Sequence, residues 1–289
     1  LDSMLAFGVT TVEGKSGYGL DRETEIRQLE VMAELDRAHP LDVVPTFMGA
    51  HAVPPEYKGR GDAFVDFLLA EVVPEVARRR LAEFCDVFCE KGVFSVAQSR
   101  RLLEGAAAAG LEPKLHADEI VPLGGAELAA EIGATAADHL LHASDEGLRR
   151  MAAAGVVATL LPTTAFSLRE PYARGRAMID AGCAVALATD FNPGSCFSES
   201  IPLVAALAAL HMQFSPEEIL TALTLNGAAA LGRAERIGSI EPGKQGDLVV
   251  LEHPSYRFIP YHLGVNTVAT VVKRGTVVFD QFKGGGNRC

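Results

Sequence analysis

The sequence predicts an α/β fold built on a parallel sheet. Three observations carry this reading. Seven short runs along the chain are almost wholly apolar, and helical spacing fills most of the stretches between them. Strands without polar alternation are buried on both faces, as in a parallel sheet covered by helices. The strand-plus-helix unit is also close in length to that of a (β/α) barrel, where eight units take ~250 residues. An open doubly wound sheet and a barrel are both compatible with the pattern.

The elements follow in order. Val9–Val12 is β-branched, and Arg22–Ala38 sets Ile26, Leu29, Met32, Ala33 and Leu35 on one helical face. Val43–Met48 is the second strand, ending in Gly49-Ala50-His51, and a helix follows through Phe64, Phe67, Leu68, Val72 and Val76. Phe84–Phe88 is the third strand. Ser95 and Gln98 form a capping box that opens a helix reaching Ala109. Pro113–His116, a helix near Gly124–Ile132, and the short strand Ala136–His139 come next. Ser144 or Asp145 caps a further helix ending before Gly155, and Val156–Leu161 and Ala184–Ala188 complete the seven strands. Ser215-Pro216-Glu217-Glu218 starts a last helix, expected to reach Leu231.

From Gly238 the texture changes to turn chemistry, a strand at Leu248–Leu251, and the hairpin Val268–Lys273, Arg274-Gly275, Thr276–Phe279. This predicts a small all-β piece, and strands so few need partners elsewhere. The expected domains are residues 1–232, an α/β body, and 233–282, part of a small β-sandwich, with 283–289 a tail without a packing role.

With 289 residues, 48% hydrophobic, the chain can bury a large core. Its formal net charge of −11 and lack of a basic stripe argue against a nucleic-acid surface. No apolar run approaches the ~18 residues of a membrane helix. The five cysteines are irregularly spaced and odd in number, which fits a reducing cytoplasm rather than a disulfide framework. Cys85 and Cys89 read as small core residues. No signal peptide is evident at Leu1–Ala6.

The functional signal is the placement of ionisable residues. Lys15 and Tyr18 follow the first strand, His51 the second, and Glu90 and Lys91 the third. His116, Asp118 and Glu119 end the fourth, His139 the fifth, Thr163 and Thr164 follow the sixth, and Asp190 and Asn192 the seventh. These are the carboxyl ends, where (β/α) barrels carry their active sites. Histidines and a carboxylate from different strands suit zinc or iron, which activates water for metal-assisted cleavage of a C–N bond. A buried Asp190 would be costly unless paired or metal-bound. Asp118 and Glu119 could instead cap a helix. Cys196 has no neighbour in sequence that would activate its thiol, and His39, His142, His211, His253 and His262 are given no role.

Five stretches resemble the imidazolonepropionase family of the amidohydrolase superfamily. They are Thr10-Thr-Val-Glu-Gly-Lys-Ser-Gly-Tyr-Gly-Leu20, Gly49-Ala-His51, Leu115-His-Ala-Asp-Glu119, Ala137-Asp-His139 and Ala188-Thr-Asp-Phe-Asn-Pro-Gly-Ser195. Leu225–Gly232 and Ile237–Leu248 are similar to the superfamily at large. The resemblance implies hydrolytic opening of 4-imidazolone-5-propanoate to N-formimidoyl-L-glutamate in histidine degradation. It implies His116 and Asp190 as ligands of one zinc or iron ion. His139, Glu119 and Asp190 would be the acid–base groups, and Tyr18, His51, Glu119, Asn192, Gly194 and Ser195 the substrate contacts. It also implies a cytoplasmic homodimer acting on a small molecule.

One departure stands out. The family carries a His-x-His pair at the end of its first barrel strand, and no such pair occurs in these 289 residues. The seven strands are therefore expected to be strands two to eight of a (β/α)8 TIM-type barrel lacking its first strand. The metal is expected to be incompletely ligated and the chain by itself close to inactive. A sibling cyclic amidohydrolase or aminohydrolase, or a non-catalytic barrel, is the alternative, since fold and metal site alone do not fix a substrate.

Overall fold

The computed structural model of the chain describes residues 1–282; the expectation for 283–289 lies outside the described residues. Seven parallel strands pair in sequence order: β1 (Thr11–Lys15), β2 (Asp42–Ala50), β3 (Phe84–Cys89), β4 (Glu112–Ala117), β5 (Ala136–His139), β6 (Val157–Leu160) and β7 (Val185–Leu187). The first half carries helices α1 (Asp2–Ala6), α2 (Arg22–Ala38), α3 (Gly61–Phe67), α4 (Val73–Arg79) and α5 (Val96–Ala108). Then come α6 (Gly125–Ile132), α7 (Asp145–Ala154), α8 (Pro162–Leu168) and α9 (Gly175–Asp180). The series ends with α10 (Ile201–His211), α11 (Pro216–Leu223), α12 (Leu225–Ala230) and α13 (Phe258–Tyr261).

The sheet is strongly curled. In a flat sheet β1 and β5 would lie about 19 Å apart, four spacings of roughly 4.8 Å. Yet Lys15 Nζ on β1 sits 3.1 Å from Asp138 Oδ2 on β5. Curling turns one face of the sheet into a barrel interior, with β1 and β7 as the edges of the sheet. The main apolar core lies on the other face, under the helices, where Leu29, Phe47, Leu68, Leu102, Leu115, Met151 and Val204 belong to one cluster. Val44, Phe84 and Leu231 form a separate small cluster.

The capping boxes at Ser95 and Ser215 are both formed, and Ser144 caps α7. Three helical readings are corrected. The helix expected through Val76 contains a wide turn at Leu68–Val72, just ahead of Pro74, which has no N–H to give to the preceding turn. The helix expected to reach Leu231 breaks at Thr224, whose hydroxyl donates to the Leu220 carbonyl (2.6 Å). The buried helix α10 was missed by sequence reasoning: its body Ile201-Pro-Leu-Val-Ala-Ala-Leu-Ala-Ala-Leu210 is apolar all round and shows no amphipathic period, and its start signal, the Ser200 cap followed by Pro202, was overlooked.

The small antiparallel sheet has the order β10 (Thr276–Asp280), β9 (Val268–Lys273), β8 (Leu248–Leu251). Arg274 and Gly275 both take positive φ at its hairpin, the geometry that matches strand twist. Leu5 of α1 packs with Val268 and Val271, and Lys273 Nζ lies 2.7 Å from both Asp42 and Asp247. No helix of the described residues is long and apolar enough to cross a membrane.

Candidate active site

Parallel pairing fixes which residues share the barrel mouth. The register sets His116 opposite Asp138 and Ala117 opposite His139. Leaving the strands, the backbone turns through left-handed conformations at Tyr18, Asp118, His139 and Asp190, with φ of 57°, 50°, 71° and 52°. At Tyr18 and His139 such a backbone costs on the order of 1–3 kcal/mol, and strain of this kind gathers at functional sites. The Asp118 carboxylate is buried and accepts four backbone N–H groups, from Leu123, Gly124, Gly125 and Ala126 (2.8, 2.9, 3.1 and 2.9 Å). It satisfies the start of α6 and so holds its neighbour Glu119 in place.

His116, His139, Glu119 and Asp190 come together. The two imidazole rings are 5.0 Å apart, and His139 Nδ1 lies 3.6 Å from Glu119 Oε1. Asp190 Oδ2 accepts from the Thr164 hydroxyl at 2.7 Å. Burial by itself would lower the His116 pKa, but Asp86, 3.1 Å from Nδ1, outweighs it and raises the value to about 9. Burial raises the Glu119 carboxyl to about 7, the pull of His116 being smaller. Burial, then the His116 charge, holds His139 well below the ordinary histidine range. Burial likewise raises Asp190, against the Thr164 hydrogen bond and His116. The group therefore combines a cationic imidazole, a neutral imidazole and two carboxyl groups that are reluctant to ionise.

Tyr18 and His51 lie beside this group with their rings tilted and centroids 4.2 Å apart, and His51 is 6.3 Å from the His116 ring. Burial and the His116 charge lower the His51 pKa to about 4, and its Nδ1 is a buried atom without a hydrogen-bond partner among the described residues. A Cβ added to Gly194 would stand 3.8 Å from the Tyr18 hydroxyl oxygen, so the Asn192–Ser195 loop approaches Tyr18. Asn192 builds that loop. Its Oδ1 accepts from the N–H groups of Gly194 and Ser195 (2.8 and 2.7 Å), and its Nδ2 donates to the Asp190 carbonyl and Ser195 Oγ. Cys196 is buried, and its thiol donates to the Thr189 carbonyl.

Sequence reasoning missed the ionisable residues inside the strands. Glu13, Asp86, Lys114 and Asp138 line the interior with Lys15. Lys15 Nζ contacts Glu13, Asp86 and Asp138 (2.9, 2.7 and 3.1 Å), while Lys114 Nζ contacts Glu13 (2.9 Å). For Asp86 the signal was available: it interrupts the apolar run Phe84-Cys-Asp-Val-Phe-Cys89, and a charge there must find a partner. Glu90, at the end of the third strand, is buried and accepts from the backbone N–H groups of Lys91 and Ile120 (2.8 and 2.9 Å). Asp86, His116 and Asp138 also present ligand atoms within 4.8 Å of one another, the one such cluster among the described residues.

Comparison with known proteins gives a consistent result. The family described as "Amidohydrolase family" matches residues 1–279. The chain is 64% identical over 279 residues to the imidazolonepropionase of Clostridium tetani, covering 96% of this chain and 67% of that protein. It is 68% identical over 277 residues to that of Bacteroides fragilis, covering 95% and 66%. The chain thus spans about two thirds of the length of the curated relatives it matches. Among solved structures, an adenosine deaminase from Xanthomonas campestris with bound zinc aligns with TM-score 0.70 at 20% identity, over 96% of this chain and 67% of that one. A guanine deaminase from C. acetobutylicum with bound guanine aligns with TM-score 0.72 at 16% identity, over 96% and 74%. These two likenesses concern the fold.

Proposed function

The chain belongs to the amidohydrolase family, and on that premise we propose that its site opens the ring of 4-imidazolone-5-propanoate by hydrolysis, giving N-formimidoyl-L-glutamate. The observation that carries the reading is the meeting of His116, His139, Glu119 and Asp190, drawn from three different strand ends, beside the Tyr18–His51 pair.

A zinc or iron ion fits the residues present. Asp190 is a largely buried carboxylate whose hydrogen-bond partner is a neutral hydroxyl, so it has charge left for a cation. The His116 ring uses Nδ1 on Asp86 and keeps Nε2 free for a ligand bond. His116 and Asp190 would hold the ion, which supplies Lewis acidity to water and carbonyl at neutral pH.

The chain's own groups do the rest. Glu119, with a pKa of about 7, takes the proton from the attacking water and returns it to the departing ring nitrogen. A C–O bond forms, the ring C–N bond breaks, and one proton passes from oxygen to nitrogen. His139 stays neutral beside Glu119 and steadies the oxygen on which charge develops. Tyr18, His51, Asn192, Gly194 and Ser195 hold the ring and its propionate. A homodimer in a cytoplasmic setting belongs to the same proposal and rests on the family resemblance.

The test is turnover of 4-imidazolone-5-propanoate, followed by loss of ring absorbance, in the full-length enzyme carrying this chain. Glu119→Gln and His139→Gln should each cost about 10²–10⁴ in kcat. Rates for both variants within about a factor of three of the unaltered enzyme, well short of that range, would overturn the assignment.

A further inference from the structure

The metal-type cluster of Asp86, His116 and Asp138 already contains a cation. Lys15 Nζ lies 2.7 Å from Asp86 Oδ2, 3.1 Å from Asp138 Oδ2 and 2.9 Å from Glu13 Oε1. An ammonium has three N–H donors; here it donates to Glu13 and Asp86 and is also ion-paired with Asp138. A metal placed among these groups would displace Lys15 and leave a largely buried ammonium without these carboxylates.

The other Asp86 oxygen faces the histidine. Oδ1 accepts from the His116 backbone N–H at 3.1 Å and lies 3.1 Å from His116 Nδ1. Asp86 is fully buried, with no exposed side-chain surface. An ionised carboxylate only accepts, so the ring nitrogen facing it carries the proton. With main chain and ring bonded to the same oxygen, the His116 side chain has little freedom to rotate.

We propose that Asp86, anchored by Lys15, is the positioning residue that orients His116, keeping Nδ1 protonated and leaving Nε2 as the ring's donor atom toward a metal. Lys15 thereby serves as the resident cation of the interior, and Asp138 as its second anchor. The inference rests on the reading of His116 as a ligand, but it makes a claim about ring chemistry that stands apart from turnover.

The experiment is long-range proton–nitrogen NMR of the imidazoles in the full-length enzyme carrying this chain, freed of metal, with His116 assigned from the His116→Gln variant. At a pH where the ring is neutral, His116 should show the Nδ1–H form. The Nε2–H form overturns the proposal, whatever becomes of any variant. Zinc is then added alone. Loss of the Nδ1 proton on zinc addition places the ion among Asp86, His116 and Asp138 and also overturns it, whereas an Nδ1 proton that persists while the Nε2 resonance shifts supports it.

In the full-length enzyme, zinc affinity read by chelator competition should fall about 10–100-fold in Asp86→Asn, the usual size of such an effect, with partial recovery in Asp86→Glu. Unchanged affinity in Asp86→Asn overturns the positioning role. Failure of the hydrolase assignment would show in substrate turnover while leaving the ring NMR as expected, so the two are separable.

Discussion

Replacing Asp118 with alanine should be among the most damaging single changes near the site, although Asp118 has no proposed chemical role. Its carboxylate receives four main-chain N–H groups, and two of them belong to the buried residues Gly125 and Ala126. A buried donor left without a partner costs about 1–3 kcal/mol, which gives roughly 2–6 kcal/mol for that pair, while Leu123 and Gly124 can recover bonds from water. Alanine must also hold a left-handed backbone at φ 50°, adding about 1 kcal/mol. Asparagine is the informative control. It tolerates that backbone, and one amide oxygen can keep the three bonds now made to Oδ1, so its cost should be about 1–2 kcal/mol. Urea unfolding followed by circular dichroism, compared at a common slope, reads the difference. An alanine variant within about 1 kcal/mol of the unaltered protein, or less damaged than the asparagine variant, would refute the reasoning.

Two further outcomes are expected. Because the Glu119 carboxyl rises from 4.5 to about 7 on folding, the native state binds the extra proton between those values, and stability should fall as pH rises through that window and level off above it. Glu119→Gln removes this slope, making the variant the more stable protein at pH 8 by up to about 3 kcal/mol; parallel pH profiles of the unfolding midpoint would contradict the shift. Lys273→Met leaves Asp42 and Asp247 without the ammonium they share and should destabilise by about 2–4 kcal/mol, whereas Asp247→Asn in the same background should restore part of that loss in thermal unfolding.

Much of the frame was legible because the signals were local. Helix starts at Ser95, Ser144 and Ser215 are written in a few residues, and strands such as Asp42–Ala50, Val157–Leu160 and Val185–Leu187 announce themselves by apolar content. Long-range placement was not local. The carboxyl-end rule located His116, Glu119, His139 and Asp190, since any parallel sheet brings successive strand ends together. It could not show that Lys15 turns inward to three carboxylates, because that depends on how tightly the sheet curls. Asp118 looked like a helix cap or a site residue, and its partners five to eight residues downstream decide for the cap. Asn192 reads as a substrate contact from its place after the last strand, and the fold adds that its amide also builds the loop it sits in. Residue type told the chemistry each group could do, and only the fold told which partner had already claimed it.

The left-handed turns at the strand ends bear on which substitutions evolution can sample there. At Tyr18, Asp118, His139 and Asp190, a β-branched newcomer meets a steric penalty before any chemistry is lost, while glycine, asparagine and aspartate pass freely. The mouth of the barrel is thus filtered twice, by reactivity and by backbone geometry. Drift toward a new substrate would therefore run more easily through the Phe191, Phe197 and Ile120 side chains, which are exposed and whose backbones take ordinary φ values.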